Sequence, residues 1–430
     1  MKKRKKSKKT LSVNLKYIDW AIILATIILL GIGFTIIYSI TSVTLYNNSS
    51  GDPFSFVKKQ ALGVLLGLIG CLMILSIPYE KIKKLSSLGL LGNIIILSIT
   101  LIIGTGPGGV KSWIDVGPLR IQPAEFVKIG LILTLAKIIA TNKSYFRGFG
   151  LVRTFLCFFE RLPFLAKLGR IFISPWGMLA YTAVLLLLLM LQPDLGTGLV
   201  ITGTGILMVL CSGIKLKLAG QITIIIAVMF TGVWTFKDKL LESHQLERFE
   251  LWKQPFEYED SLGYQNIMGY TAIALGGMEG TGLGEGIHKY GYAVEPHNDF
   301  IISIVAEELG GYCVLFVMIL YFFIFYRMVK SGLKSDDIFA SLVCVGLGIS
   351  LLLQVIINLG GVSGTIPMTG VTLPFISYGG TSVMTTFFLL GVFFNIDSHI
   401  KRTNQERLRK ELMREYEEKQ RRTQKIDQKI

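Results

Sequence analysis

An all-α, polytopic membrane fold with about ten transmembrane helices is what the sequence predicts, on three observations. Of 430 residues, 51% are hydrophobic and only 17% charged, a balance that soluble domains do not reach. Apolar windows of roughly 20 residues, enough to cross the hydrocarbon, recur along the chain. Lys and Arg collect in alternate connections, the pattern left when basic loops stay cytoplasmic during insertion.

The windows fall near 18–43, 59–78, 86–104, 124–141, 174–192, 195–214, 218–236, 299–325, 337–358 and 380–396. The first is too long for a signal-peptide core and lacks a small-residue cleavage pattern, so it reads as a retained helix. It follows a strongly basic start, MKKRKKSKKT. With that end inside, the connections 79–85, 142–173, 215–217, 326–336 and the tail also fall inside, and each is basic or has a basic excess. From Lys401 onward the tail holds 11 Lys/Arg against 6 Asp/Glu. The connections 105–123, 237–299 and 359–379 then face outward. The longest, 237–299, carries a charge of −6 from 5 Lys/Arg and 11 Asp/Glu. Lys58 and Lys59, at the outer start of the second window, depart from the rule.

Three parts follow: a basic cytoplasmic N-terminus (1–17), a membrane domain (18–398) with the large extracellular loop 237–299, and a charged cytoplasmic tail (399–430). The tail is helix-prone and poor in large apolar residues, which fits a solvated helix, a disordered tail or a partner site. The inner connection 142–173 mixes aromatic residues with Arg147, Arg153, Arg161, Lys167 and Arg170, as suits a segment lying along lipid headgroups. A net charge of +15 gathered mainly at the inner face points to anionic lipid and away from nucleic acid. The cysteines Cys71, Cys157, Cys211, Cys313 and Cys344 show no CxxC spacing and read as small buried hydrophobes.

Polar residues inside or beside the windows are costly, so each is a candidate for function. In the run Glu295-Pro296-His297-Asn298-Asp299, a carboxylate is fixed where the acidic connection meets an apolar helix. Further along that helix, the adjacent Glu307 and Glu308 cannot share one face. At least one of them therefore has to be protonated or paired within the bundle, as a structural polar contact. Glu125 and Lys128 in QPAEFVKI stand one turn apart on one helix face. They read either as a structural ion pair or as a pair that holds and orients an anionic headgroup. Asp194 in LQPDLGTG follows a helix-breaking proline, and reads either as the cap of the next helix or as a cavity residue. The stretch TIPMTGVTLPFISYGGTS sets Ser377, Tyr378, Gly379, Gly380, Thr381 and Ser382 at a helix start. Such backbone can offer N–H donors to an anion, or can simply form a packed re-entrant turn.

GGVKSWIDVGPLRIQPAEFVKI, LQPDLGTG, GYQNIMGYTAIALGGMEGTGLGEGIHKYGYAVEPHNDFIISIVAEELG and LPFISYGGTS, in this order, resemble the SEDS family of bacterial envelope proteins (shape, elongation, division and sporulation), whose main members are FtsW and RodA. The resemblance covers nearly all the windows. GLGEGIHKYGYAVEPHNDF is more like the division-type FtsW and LQPDLGTG closer to RodA usage, with the balance toward FtsW. The resemblance implies a peptidoglycan glycosyltransferase that polymerises lipid II at the outer face of the cytoplasmic membrane. Its expected partners are the growing glycan strand on undecaprenyl pyrophosphate, a class B penicillin-binding protein transpeptidase and other divisome or elongasome membrane proteins. It also implies that Asp299 is catalytic and that Glu125 and Lys128 match the family's Glu/Lys motif. Where the family often has an arginine before the Trp of its first external motif, this chain has Ser112, preceded by Lys111.

In that reaction a sugar hydroxyl attacks an anomeric carbon and undecaprenyl pyrophosphate leaves. Asp299 is the expected general base. Lys128, Lys111, Arg120 and the Ser377–Ser382 loop are candidates to receive the pyrophosphate. His297 is expected to orient backbone or substrate, since His244, His288 and His297 lack a metal-ligand spacing. No protein-ligated metal is expected, although a hydrated Mg²⁺ or Mn²⁺ could bridge pyrophosphate oxygens to a carboxylate. Two other classes compete. A lipid II flippase would also use intramembrane charges and broken spans, and a division scaffold would use the tail.

Overall fold

The computed structural model describes residues 14–47, 54–106, 111–117, 119–145, 175–213, 250–258, 263–290 and 298–427, with isolated positions between 220 and 246. Its helices are α1 (Trp20–Asn47), α2 (Ser55–Leu75), α3 (Tyr79–Leu85), which passes through a 3₁₀ turn into α4 (Gly89–Ile103), α5 (Pro123–Tyr145), α6 (Pro175–Met190), α7 (Leu195–Cys211), α8 (Tyr264–Gly276), α9 (Ile301–Leu333), α10 (Ile338–Val362) and α11 (Gly380–Asp427). A short antiparallel hairpin, β1 (Ile114–Val116) and β2 (Leu119–Ile121), precedes α5. Nine of the expected windows coincide with these helices. The window 218–236, most of the connection 142–173, Cys157, His244 and His297 lie outside the described residues.

Among the described residues six helices are long and apolar enough to cross a membrane, and the chain is an all-α polytopic membrane protein. In α10 and the first part of α11, 72% and 83% of the apolar window is buried, against 22–39% in the other four, so these two helices form the bundle's centre. α5 and α7 are also largely buried, whereas α2, α4 and the middle of α9 expose apolar side chains. α10 packs on α5, α7, α9 and α11, and α11 packs along α2. Gly63, Gly67 and Gly70 of α2 admit that approach, because a Cβ there would come within 3 Å of Gly380, Phe387 and Phe388. Helix contact through small residues is the usual route in a membrane, where tight van der Waals packing replaces the hydrophobic drive. Cys71 and Cys344 are buried as expected, whereas Cys211 lies exposed at the end of α7.

α11 does not end with its apolar part. It continues as one helix to Asp427, so the charged segment after 398 is the same element as the last span.

Within the expected outer connection 237–299, the described residues are not all loop. Its part 264–276 forms α8, which packs against α9, and 277–290 returns along the same helix. The reason is a break in α9 at Gly310, whose φ of 80° and ψ of 172° interrupt the helix. A break frees backbone groups that hydrocarbon cannot satisfy. The returning segment supplies the partners: Thr281 N–H and Gly282 N–H donate to the carbonyls of Glu307 (2.8 Å) and Glu308 (3.1 Å), while Gly311 N–H and Tyr312 N–H donate to Gly277 (2.9 Å) and Met278 (3.2 Å). The apolar half of 264–276 was too short for a span and its partner was invisible in the sequence.

Gly310 therefore has no substitute. A Cβ would stand 2.4 Å from the Met278 carbonyl in a left-handed conformation. Gly310→Ala is expected to destabilise the protein by about 1–3 kcal/mol, seen as a lower midpoint in thermal unfolding of the detergent-purified chain. A midpoint equal to the parent's would show that the break is not required.

Candidate active site

Asp299 lies half-buried, one residue before the Phe300 that caps α9. Its backbone carbonyl accepts from Asn358 Nδ2 (2.9 Å) on α10. The same amide donates to the Val371 carbonyl (2.7 Å). Asp299 Oδ2 lies 3.6 Å from the position a Cβ would take on Gly370. The carboxylate thus faces the 369–373 segment, and α10 holds both.

One turn earlier on α10, Gln354 repeats the pattern. Its Nε2 donates to the Thr372 carbonyl (3.1 Å), and its Oε1 accepts from Lys128 Nζ (2.7 Å). Lys128 is paired with Glu125 at 2.9 Å, both 5–6% exposed, and Glu125 also accepts from Thr385 of α11 (3.1 Å). The i,i+3 pair forms as its spacing requires. Gln354 and Asn358, four residues apart, are separated by about 6 Å along the helix. The Glu125–Lys128 pair and Asp299 are therefore two ends of one strut.

Asp194 caps α7, accepting from Thr197 N–H (3.1 Å) and from Gln122 Nε2 (2.7 Å). It lies in the connection between helices, where burial raises its carboxyl pKa against the hydrogen bonds from Thr197 and Gln122. The turn it caps presses on the same segment that flanks Asp299: a Cβ on Gly196 would come 2.4 Å from the Thr369 carbonyl. The cap reading holds, and it builds a wall of the site.

Arg120 is half-exposed and forms a cross-strand pair with Asp115 (3.1 Å). Hydrogen bonds from Thr105 and Arg120 lower the Asp115 pKa. Ser112 is buried and donates to the Gln192 carbonyl (2.9 Å), which fixes the neighbouring, exposed Lys111 on this side of the bundle.

The Ser377–Ser382 hydroxyls are engaged within the protein. Ser377 Oγ accepts from Leu373 N–H (2.8 Å), Thr381 Oγ1 donates to the Arg120 carbonyl and Ser382 Oγ accepts from Thr372 Oγ1 (2.8 Å). Gln60 of α2 clamps the turn, donating to the Ser377 carbonyl (3.1 Å) and accepting from Gly379 N–H (3.2 Å). Tyr378 meets Phe56 edge-on, with centroids 4.8 Å apart. What this turn can offer an anion is backbone at the start of α11, at Gly380, where a Cβ would meet open space.

Glu307 and Glu308 are both paired within the bundle. Glu307 Oε1 accepts from Ile287 N–H (2.7 Å) and lies 2.9 Å from His288 Nδ1, and His288 Nε2 lies 2.9 Å from Thr271 Oγ1 of α8. Glu308 pairs with Lys289 (2.6 Å), the two being 0–1% exposed in their side chains, and accepts from Ser39 of α1 (2.8 Å). This cluster pins the returning segment, nine residues before Asp299, to α1 and α9. Among the described residues no group of three His, Cys, Asp or Glu side chains could hold a metal.

Sequence reading missed Gln60, Gln122, Gln354, Asn358 and Lys289. Four of these are amides, and an amide inside an apolar window is a signal of the same kind as a charge.

The family model for FtsW, RodA and SpoVE, described as "Cell cycle protein", matches residues 20–402. The chain belongs to the FtsW/RodA/SpoVE family. Among its relatives, the "Probable peptidoglycan glycosyltransferase FtsW" of Bacillus subtilis is 35% identical, covering 90% of this chain and 92% of the relative. The stage V sporulation protein E of the same organism is 32% identical, covering 89% and 97%. A chain of a solved peptidoglycan synthase complex, described as showing structural coordination of polymerization and crosslinking, superposes with a TM-score of 0.66 at 26% identity, covering 89% of this chain and 98% of that one. In this FtsW/RodA/SpoVE chain, the segments that carried the resemblance are those that surround Asp299.

Removing one partner of a buried ion pair leaves a stranded charge and costs about 3–5 kcal/mol. Lys289→Met is expected to lower the unfolding midpoint accordingly, and adding Glu308→Gln to recover part of the loss. A double variant no better than Lys289→Met alone would show that the pair is not coupled.

Proposed function

We propose that this chain is a peptidoglycan glycosyltransferase that polymerises lipid II, with Asp299 as its general base. The observation that carries the reading is the strut. One face of α10 ties the half-buried Asp299 to a buried Glu125–Lys128 pair, within a family whose relatives are named for this activity.

The acceptor's GlcNAc 4-hydroxyl attacks the anomeric carbon of the lipid-linked MurNAc. Asp299 takes the hydroxyl proton as the new glycosidic C–O bond forms. The anomeric C–O bond to phosphate breaks, and undecaprenyl pyrophosphate departs with the electron pair. A positioned base of this kind contributes about 10²–10⁴-fold, and partial desolvation suits a carboxylate to it. Holding two lipid-linked sugars in line supplies much of the remainder.

Local charge divides the other roles. Lys128 is paired with buried Glu125, whereas Arg120, in an exposed pair with Asp115, is open to solvent. Among the described residues, Arg120, exposed Lys111 and the backbone N–H groups at the start of α11 are the candidates to meet the leaving pyrophosphate. His297 would orient substrate beside Asp299. A hydrated Mg²⁺ or Mn²⁺ held by the pyrophosphate oxygens would supply positive charge to the leaving group.

The distribution of basic residues supports a cytoplasmic N-terminus and tail, which puts Asp299 at the outer face of a bacterial cytoplasmic membrane. A class B penicillin-binding protein is the partner that fits, since the structural relative comes from a complex described by both polymerization and crosslinking. The division-type role is favoured by the FtsW relative.

The test is glycan formation from purified lipid II in detergent, with the cognate transpeptidase present. No bilayer is there to flip across, so product separates an enzyme from a flippase. Asp299→Asn, folded normally, is expected to polymerise about 10²–10⁴-fold more slowly. Parental rates in that variant would sink the assignment of the base.

A further inference from the structure

We propose that Asn358 is a positioning residue for Asp299: its side-chain amide fixes the start of α9 against the 369–373 segment and so sets where the carboxylate stands. The inference rests on Asp299 being the catalytic base, but the geometry it invokes does not.

The amide's orientation is unambiguous. Both groups it reaches, the carbonyls of Asp299 (2.9 Å) and Val371 (2.7 Å), are pure acceptors, so the nitrogen must face them. Oδ1 then points elsewhere, and it is buried without a hydrogen-bond partner among the described residues. Asn358 is 2% exposed. A helix centre surrounded by apolar side chains does not favour an amide whose acceptor is unsatisfied, so the residue type is explained by the two bonds its nitrogen makes. What the amide does achieve is to bridge two chain segments that no described backbone hydrogen bond joins.

Asp299 precedes the first helical residue of α9, and its carbonyl is tied to α10 through Asn358. The opposite wall, Thr369 to Thr372, is irregular backbone, and Gly370 in it adopts a left-handed φ of 73°. Asn358 joins the two walls directly, and Gln354 repeats the clamp on Thr372 while receiving Lys128. Loss of Asn358 would let the Asp299 turn move against Gly370 while leaving the Glu125–Lys128 end in place. Turnover should therefore fall while substrate affinity, set by the rest of the groove, holds.

The experiment uses the full-length chain with its transpeptidase partner and a graded series at one position. Asn358→Leu keeps the approximate size but cannot donate to either carbonyl, Asn358→Ala removes both bonds, and Asn358→Ser keeps a donor for one. The expected result is kcat down by about 10²-fold in the Leu and Ala variants, an intermediate value for Ser, and KM for lipid II within about twofold of parent throughout. Asn395→Ala is the control, because Asn395 makes the same kind of bonds, to the Ile74 (2.9 Å) and Ile77 (2.7 Å) carbonyls, at the other end of the bundle. It should leave kcat unchanged.

A second readout does not depend on activity. In a chain with its native cysteines replaced by alanine, Asp299→Cys is labelled with a membrane-impermeant maleimide. The labelling rate should change severalfold when Asn358→Ala or Asn358→Ser is added, and not with Asn395→Ala. A labelling rate and a kcat that stay flat across the series overturn the proposal. An inactive parent would instead overturn the glycosyltransferase reading, and the labelling arm would still decide whether Asn358 positions residue 299.

Discussion

Backbone polar groups that leave a helix inside a membrane must find partners within the protein, and the arrangement around Asp299 follows from that constraint. Two stretches of irregular backbone enter the bundle, at the Gly310 break and at 364–379. Each is satisfied in a different way. The first is closed by backbone from 277–282, the second by side-chain amides from Gln60, Gln354 and Asn358. The hydrogen bonds that make these segments tolerable are the same ones that fix the walls around Asp299.

Buried charge obeys a parallel rule. Glu125 with Lys128 and Glu308 with Lys289 are each matched within 3 Å, and Glu307 meets the His288 ring at 2.9 Å. Replacing such pairs by apolar residues often costs nothing in stability, so their presence is better understood through what they align. The first aligns α5 with α10, and the others hold the approach to Asp299 on α1 and α9. At the far end, Arg327–Asp19 and Lys83–Asp337 do comparable work for α9 and α10.

The sequence revealed what depends on spacing along one helix. The Glu125–Lys128 pair, the Asp194 cap and the place of Asp299 at a helix start all follow from neighbours within four residues, and all three stand in the structure. It concealed what depends on two distant segments meeting. α8 was hidden because its 13 residues are too few for a span and its purpose is a break in another helix. Gln354 and Asn358 were hidden because an amide in an apolar run declares no partner. The hydroxyls of Ser377 and Thr381 looked available to a ligand, since composition cannot show whether a hydroxyl turns toward solvent or toward backbone.

α11 begins at Gly380, beside the turn clamped by Gln60, and ends at Asp427 without interruption. A helix of 48 residues is about 70 Å long at 1.5 Å per residue, well beyond the thickness of a bilayer. Its middle is gripped where Asp397 meets Lys401 and Ser331, and its charged part touches Asp336 through Arg407. One continuous helix thus carries, in its first turns, the hydroxyls of Thr381 and Thr385 that donate to the Arg120 carbonyl and the Glu125 carboxylate, and at its other end the charged stretch up to Asp427.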